Sequence, residues 1–160
     1  MSNPARHREG APSRESFVLG CDHAGYELKE RVKAYLLDEG NGVEDLTPQF
    51  REHIDFPPVA EEVGRRVAGQ GGCYGILICG TGLGMCMAAN KVPGIRAALL
   101  YSEAAAEYAR RHNDANVLAF GGRTMAFAQV RRCLETFFSH RFEEGRYAER
   151  NAYIRRMERH

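Results

Sequence analysis

A cysteine followed by a glycine-rich turn is the part of the sequence best suited to chemistry. Cys79 ends a short apolar run, 76–78, and is followed by residues 80–84, in which glycine alternates with Thr81 and Leu83. Glycine places no side chain in the way, so the backbone N–H groups of such a turn can face a phosphate or a developing oxyanion. A thiol near the N-terminus of a helix ionises more readily than a free thiol. The segment therefore predicts an anion site with a reactive thiol and a hydroxyl at its mouth.

The spacing of the glycines disfavours several other phosphate sites. Gly80, Gly82 and Gly84 form a G-x-G-x-G pattern, which is not the dinucleotide fingerprint because residue 85 is methionine. The Gly-Lys-Ser/Thr of a nucleoside-triphosphate P-loop does not follow, nor does the arginine that a cysteine phosphatase needs shortly after its nucleophile. A cysteine at the end of a buried strand also suits a plain core position. Both interpretations of Cys79 stay open at this point.

Polar side chains follow two other predicted strands. Asp22 and His23 come directly after the strand predicted at 17–21, and Arg123 follows the fifth strand. The carboxyl ends of parallel strands form the edge at which open α/β sheets place their ligands. We therefore expect these residues beside Cys79. The alternatives are that Asp22 caps a helix and that His23 makes a local hydrogen bond; His53, in the next loop, is interpreted as a solvated residue.

Two further pairs lie near helix ends. His112 and Asn113 fall where a helix finishes, so C-capping is the simple alternative to a role in a site. Arg146 and Arg150 are spaced i, i+4 and share one side of a helix, which can form a fork for a phosphate group. Their alternative is a solvated pair or ion pairs with nearby glutamates.

The elements that must position these residues follow from the hydrophobic pattern. Short β-rich runs alternate with segments of helical periodicity. Right-handed crossovers then predict an α/β, single-domain, three-layer Rossmann-like fold with a five-stranded parallel sheet and a C-terminal helix. The strand that ends at Cys79 is expected at its centre. The predicted strands are 17–21, 43–46, 76–78, 95–100 and the run before Gly121, and the predicted helices begin near Asp22, Asp55, Met85, Ser102, Thr124 and within 142–160.

Composition limits the class of protein. The 160 residues suit one domain, and 22 basic against 21 acidic residues give a net charge of +1, which argues against a general nucleic-acid surface. Five cysteines without a C-x-x-C pair support neither a disulfide framework nor a zinc site, so we expect a reducing compartment, the cytoplasm. The sequence contains no long apolar run for a membrane span. Residues 1–16 lack the apolar centre of a signal peptide and are predicted to be a disordered arm before a domain at 17–160.

Three separated blocks, 20–25, 79–91 and 112–124, resemble the type B ribose-5-phosphate isomerases and their galactose-6-phosphate isomerase relatives. The similarity extends from about residue 17 to residue 157. The resemblance implies a sugar-phosphate isomerase domain with a Rossmann-like sheet, and a homodimer, or a tetramer, with active sites shared between subunits. It also implies interconversion of a phosphorylated aldose and ketose without a metal or another cofactor. Partners other than the phosphosugar and a second copy, such as nucleic acid or a membrane, are not expected.

The resemblance further implies a role for each matching residue. It makes Cys79 the base that moves a proton between C1 and C2, and His112 the acid–base group that opens the sugar ring. Residues 80–84, with Thr81, would supply donors around the enediolate. The other implied substrate contacts are Asp22 and Asn113 for sugar hydroxyls, and His23, Arg123, Arg146 and Arg150 for the phosphate.

Met85 and Phe56 are among the positions at which this chain differs from some members of the family it resembles. One branch carries a glutamate base where this chain has Met85, so the chain is of the cysteine type. Phe56 replaces the more usual tyrosine of an Asp-Tyr-Pro turn. Ribose 5-phosphate, converted to ribulose 5-phosphate through an enediolate, is the expected substrate. The alternatives are galactose 6-phosphate, allose 6-phosphate or a tetrulose phosphate, and a non-catalytic sugar-phosphate-binding module, which would need no base.

Overall fold

The computed structural model describes residues 14–158. The predicted N-terminal arm therefore lies outside the described residues, apart from its last three positions. The strands are β1 (Ser16–Cys21), β2 (Gly42–Asp45), β3 (Cys73–Cys79), β4 (Ala97–Leu99) and β5 (Val117–Gly121). The helices are α1 (Tyr26–Asp38), α2 (Phe56–Gly69), α3 (Leu83–Ala89), α4 (Glu103–Arg111), α5 (Phe127–Ser139) and α6 (Arg146–Met157).

The five strands form one parallel sheet with the order β2-β1-β3-β5-β4. Strand β3 lies at its centre, paired with β1 through Leu19 and Ile76 and with β5 through Ile78 and Phe120. Both faces of β3 are buried, which explains why its sequence is a continuous apolar run and not an alternating one. The predicted α/β fold with a central strand ending at Cys79 is confirmed.

Helices cover both faces of the sheet, and the pleat of β3 divides its side chains between them. Ile76 and Ile78 pack into the core that includes residues of α1, α4 and α5. Leu77 and Cys79 point to the other face and pack into the core formed with α2 and α3. Successive side chains of a strand alternate between faces, so the register of β3 alone directs the Cys79 side chain toward α3.

Some element boundaries differ from the prediction. Helix α5 begins at Phe127 and not near Thr124, because residues 121–125 form a tight turn in which the Met125 N–H donates to the Gly121 carbonyl (3.0 Å). The N-cap of α1 is Gly25 and not Asp22, and α3 begins at Leu83, two residues before Met85. The prediction for α4 is confirmed, since the Ser102 hydroxyl accepts the Ala105 N–H (3.1 Å).

Within residues 14–158, every helix is too short or too polar to cross a lipid bilayer.

Candidate active site

Three loops meet at the carboxyl edge of the sheet, after β1, β3 and β5. The Asp22 N–H donates to the Ile78 carbonyl (3.2 Å), so the first loop is joined to the end of β3. The Gly122 and Arg123 N–H groups donate to the carbonyls of Cys79 (2.7 Å) and Gly80 (2.9 Å). These bonds extend the parallel ladder beyond the strands, and they join the three loops around Cys79.

Close approach of these loops requires glycine. A Cβ at Gly25 would lie 2.1 Å from the Ile78 carbonyl oxygen, and one at Gly122 would lie 2.6 Å from the Ala24 carbonyl oxygen. Gly82 has φ +79°, in the left-handed region that L side chains rarely adopt, and a Cβ there would also meet the Phe120 backbone at 2.9 Å. The glycines of the sequence motif therefore allow backbone to contact backbone between neighbouring loops.

Replacement of Gly25 by alanine is expected to lower the free energy of unfolding by at least about 2 kcal/mol, because the new methyl group overlaps a backbone carbonyl that cannot rotate away. Urea denaturation measures the change. Gly69→Ala is the matched control, since a Cβ there meets nothing within 4 Å, and it should change stability by less than about 1 kcal/mol. Equal stability of the two variants would contradict the packing described for the loops.

Cys79 is almost buried, with 5% of its surface exposed, and its sulfur reaches the glycine turn. The Gly82 N–H donates to Cys79 Sγ at 3.1 Å. A backbone N–H directed at sulfur is the arrangement that a thiolate accepts better than a thiol. The plain core interpretation explains the low exposure but not this contact, which connects the sulfur to the predicted anion site.

Burial disfavours the thiolate form of the other four cysteines. Burial raises the pKa of the Cys21, Cys73, Cys86 and Cys133 thiols above their ordinary value. Cys79 is distinguished from them by its place at the end of the central strand and by the N–H group on its sulfur.

The turn at 80–84 opens toward solvent on one side. Thr81 is exposed, and its hydroxyl accepts the Leu83 N–H (3.3 Å). Leu83 is 49% exposed, whereas Met85, the position of the alternative base, is fully buried. The Phe56 ring covers the turn from above, since a Cβ at Gly84 would lie 2.7 Å from Phe56 Cζ. Phe56 is thus a wall of the site, a role that its position in the sequence did not predict.

Asp22, His23 and Arg123 lie at the same edge as predicted. Asp22 Oδ1 accepts the N–H groups of Ala24 (2.9 Å) and Gly25 (3.0 Å), so its carboxylate closes the turn before α1 and does not occupy the N-cap position. His23 is exposed, and its Nδ1 accepts the Ile54 N–H at 3.5 Å, a contact with the loop before α2 and not the local hydrogen bond of the alternative interpretation. Arg123 Nη1 lies 3.4 Å from the position that a Cβ of Gly80 would take. We call Asp22, His23, Cys79, Thr81 and Arg123 the carboxyl-edge cluster.

A second group, the amino-edge cluster, consists of His112, Asn113, Arg146 and Arg150. His112 is the C-cap residue of α4, which confirms the predicted helix end, and its ring stacks on Tyr147 with centroids 4.0 Å apart and planes 9° apart. The Asn113 carbonyl accepts Asn151 Nδ2 from α6 (3.1 Å). Helix α6 is therefore joined to the end of α4 through these contacts.

Tyr147 also brings the two arginines to this cluster. The Arg146 guanidinium carbon lies 4.9 Å from the centre of its ring, and that of Arg150 lies 5.7 Å away. Glu143 pairs with Arg111 and has Oε2 3.7 Å from His112 Nε2. No role was predicted for Tyr147 from the sequence, and nearby glutamates such as Glu143 were expected only as partners for the arginines. An aromatic residue between two arginines in a polar stretch was the available signal for Tyr147.

The two clusters lie at opposite edges of the sheet. Helix α4 starts after the carboxyl end of β4 and runs back across the sheet, so its last residue reaches the amino edge. Near the start of β3, the Gly75 N–H donates to the carbonyl of Asn116, three residues after Asn113 of the amino-edge cluster. At the carboxyl end of β3, the Gly122 N–H donates to the Cys79 carbonyl. The ends of a seven-residue strand such as β3 are about 20 Å apart. One chain therefore does not bring Cys79 and His112 around the same small molecule.

Among residues 14–158, no group of three or more His, Cys, Asp and Glu side chains is arranged to hold a metal ion. The candidate chemistry consists of a sulfur base, backbone N–H donors, an imidazole and guanidinium groups. Together these could move a proton and hold a phosphate.

Comparison with known proteins agrees with this chemistry. The model of the Ribose/Galactose Isomerase family matches residues 17–154. The chain is 38% identical over 144 residues to ribose-5-phosphate isomerase B of Escherichia coli (strain K12), covering 90% of this chain and 97% of that protein.

Solved structures give the same result. The ribose-5-phosphate isomerase B of Clostridium thermocellum superposes with a TM-score of 0.87 at 38% identity, over 89% of this chain and 97% of that one. The Mycoplasma genitalium protein, solved with bound ribulose-5-phosphate, superposes with a TM-score of 0.85 at 39% identity, over 91% of this chain and 97% of that one.

Proposed function

This chain belongs to the ribose/galactose isomerase family, and from that premise we propose that it interconverts ribose 5-phosphate and ribulose 5-phosphate with Cys79 as the base. It is an aldose–ketose isomerase, as its relatives are. The observation that carries the proposal for Cys79 is the Gly82 N–H held 3.1 Å from its sulfur at the end of the central strand.

The reaction moves one carbon-bound proton. The Cys79 thiolate takes the proton from C2 of the open-chain aldose, and the electron pair of that bond forms the C1–C2 double bond of an enediolate. The thiol then returns the proton to C1, while a proton moves from the C2 hydroxyl to O1, so that the ketose has the same atoms as the aldose. Backbone N–H groups of 80–84 and the Thr81 hydroxyl stabilise the enediolate oxygen, where negative charge develops. No metal or other cofactor takes part in the proposed reaction.

A second copy of the chain completes the site. We propose a homodimer in which the amino-edge cluster of one chain faces the carboxyl-edge cluster of its partner, so that His112 opens the sugar ring and Asn113 holds a hydroxyl. The separation of the clusters within one chain supports this arrangement. So do large exposed apolar side chains on α3 and α6, which a partner subunit would cover. They are Leu83, Met87, Tyr153, Ile154 and Met157. A tetramer of two such dimers would keep the same shared sites.

Both subunits hold the phosphate in this proposal. His23 and Arg123 contribute from the carboxyl edge, and Arg146 and Arg150 from the amino edge of the partner chain. Gripping the phosphate far from C1 and C2 keeps the open chain in register with Cys79, so remote binding energy assists the proton transfer.

Arg150→Ala is expected to raise KM for ribose 5-phosphate by about 10- to 100-fold, because a hydrogen bond between charged groups contributes about 1.5–3 kcal/mol. The turnover number should change less. Arg131→Ala is the matched control, since Arg131 lies on α5 and pairs with Glu135. Steady-state kinetics and calorimetric binding measure the effect. A substrate affinity equal to that of the control would show that Arg150 does not hold the phosphate.

The experiment that tests the function compares kcat/KM across four-, five- and six-carbon aldose and ketose phosphates. Ribose 5-phosphate should give the highest value. A higher value for a six-carbon or four-carbon substrate would assign one of the alternative isomerisations, and tight binding without ketose formation would support the non-catalytic module. All five cysteines are free thiols, which suits a reducing environment, and we propose the cytoplasm as the location.

A further inference from the structure

Helix α1 carries a lysine whose side chain is fully buried, with 0% of its surface exposed. Lys29 Nζ donates to Asp45 Oδ2 (2.7 Å), Glu30 Oε1 (2.5 Å) and the Thr47 carbonyl (2.8 Å). An ammonium group has three donors, so each of them has an acceptor. The proposed catalytic groups do not include this lysine. A hydrophobic side chain of similar size would fill a core position without the free-energy cost of removing a charge from water.

The third acceptor connects Lys29 to the loop between β2 and α2, residues 46–55. Thr47 is the second residue of this loop, and its hydroxyl accepts the Cys21 N–H (3.0 Å) at the end of β1. The next residue is held as well, because the Tyr26 hydroxyl donates to the Pro48 carbonyl (3.1 Å). The beginning of loop 46–55 is therefore fastened to β1 and α1 beneath the carboxyl edge.

The far end of the same loop lies against the carboxyl-edge cluster. The His53 ring centroid is 6.1 Å from that of His23, and the Ile54 N–H faces His23 Nδ1. Directly after the loop, Phe56 covers Gly84 of the anion turn. Loop 46–55 is thus a wall of the candidate site, and its first residues are the ones held by Lys29, β1 and α1.

The ion pair of Lys29 and Asp45, beside Thr47, stays charged over a wide pH range. Burial alone would lower the pKa of Lys29, but hydrogen bonds to Asp45 and Glu30 outweigh it and raise the pKa. Burial alone would raise the pKa of Asp45, but hydrogen bonds from Lys29 and Lys33 outweigh it and lower the pKa. The contribution of Asp45 to folding stability is therefore lost only as the pH falls below the ordinary pKa of an aspartate. The contribution of Lys29 is lost only as the pH rises above the ordinary pKa of a lysine.

We infer that Lys29 is a positioning residue for the phosphosugar site, which fixes loop 46–55 through its bond to the Thr47 carbonyl. The inference rests on the proposed isomerase function. Its physical basis is that a buried ion pair adds little net stability over an apolar core but demands one geometry. The loop carries His53 and leads into Phe56, so displacement of Thr47 shifts both toward or away from the substrate.

Lys29→Met tests the inference, because it keeps the length of the side chain and removes the donors. Hydrogen–deuterium exchange of the protein without substrate should become faster at residues 46–55 and stay unchanged in β3. KM for ribose 5-phosphate should rise by about tenfold, with a smaller change in kcat. Lys33→Met is the matched control: Lys33 donates to the same Asp45 Oδ2 (2.9 Å), lies one turn later on α1 and is partly exposed. Its loop exchange and KM should stay within about twofold of the unmodified protein.

A second variant covers the case in which Lys29→Met does not fold because Asp45 is left poorly compensated. Lys29→Met with Asp45→Asn removes both charges of the pair and still lacks the bond to Thr47, so the same changes in exchange and KM are expected. A folded variant of either kind with unchanged loop exchange and unchanged KM would overturn the inference. If the unmodified protein fails to isomerise phosphosugars, the proposed function fails instead, and the exchange measurement still decides whether Lys29 fixes the loop.

Discussion

Cys79→Ala is expected to lower kcat for ribose 5-phosphate isomerisation by about 10²- to 10⁴-fold, the usual contribution of a positioned general base. The dissociation constant for the sugar phosphate should change by less than about threefold, because binding rests on the guanidinium and backbone donors. The substitution removes the sulfur at the end of β3, which accepts the Gly82 N–H in the unmodified protein. The backbone donors and the guanidinium groups are left in place. The variant therefore loses the base and keeps the anion site.

The measurement pairs steady-state turnover with calorimetric binding of the substrate. Exchange of the C2 proton with solvent deuterium gives a second readout, which should disappear in Cys79→Ala. Cys86→Ala is the matched control, since Cys86 lies seven residues later on α3 with its sulfur directed at the Ala97 carbonyl (3.5 Å). Near-normal turnover in Cys79→Ala would remove the proposed base, whatever the binding result.

Mixed dimers of Cys79→Ala and His112→Asn subunits are expected to regain turnover that neither variant has alone. If each site takes Cys79 from one chain and His112 from the other, a mixed dimer has one site with both changes and one with neither. Its turnover should be about half that of the unmodified dimer, since one of its two symmetric sites is intact. His112→Asn keeps a side chain suited to the helix end and removes the acid–base group.

Co-expression of the two variants with different affinity tags isolates the mixed dimer by sequential purification. Each variant co-expressed with itself under the same two tags provides the control, and both should stay at least about 50-fold below the unmodified dimer. A mixed dimer as inactive as its parents would show that Cys79 and His112 do not act in one shared site. The shared-site arrangement would then have to be abandoned even if Cys79→Ala behaved as expected.

Local patterns in the sequence were sufficient for the architecture. The apolar run before Cys79 indicated a strand buried on both faces, and it is the central strand β3. Glycines after it indicated a turn without side chains, and the structure shows that Gly25, Gly82 and Gly122 are required because loop backbones touch there. The Ser102 cap was also predicted correctly. The strand, the turn and the cap were predictable because they depend on neighbours within a few positions along the chain. The contacts that require Gly25 and Gly122 come from distant loops and were not.

Boundaries set by contacts between loops were predicted less well. The helix predicted near Thr124 starts at Phe127 because the backbone after β5 is used to bind Cys79 and Gly80. Asp22 was predicted as a helix cap, but its carboxylate closes a turn one step earlier. The first boundary was decided by Cys79 and Gly80, distant partners that no local pattern displays. The second was decided by the N–H groups two and three residues after Asp22.

The sequence by itself determined the parallel sheet, the central strand, the glycine turn with Cys79 and the family. These follow from periodicity, from residue types that permit only certain backbone conformations, and from motifs in a fixed order. Only the tertiary structure decided that His112 lies at the opposite edge from Cys79, that Tyr147 joins α6 to it, and that Lys29 is buried under loop 46–55. The last two features are contacts between residues far apart in the chain: Lys29 and Thr47 are 18 positions apart, and His112 and Tyr147 are 35 positions apart. The distance between such residues is set by how the helices pack on the sheet, which no spacing along the chain records.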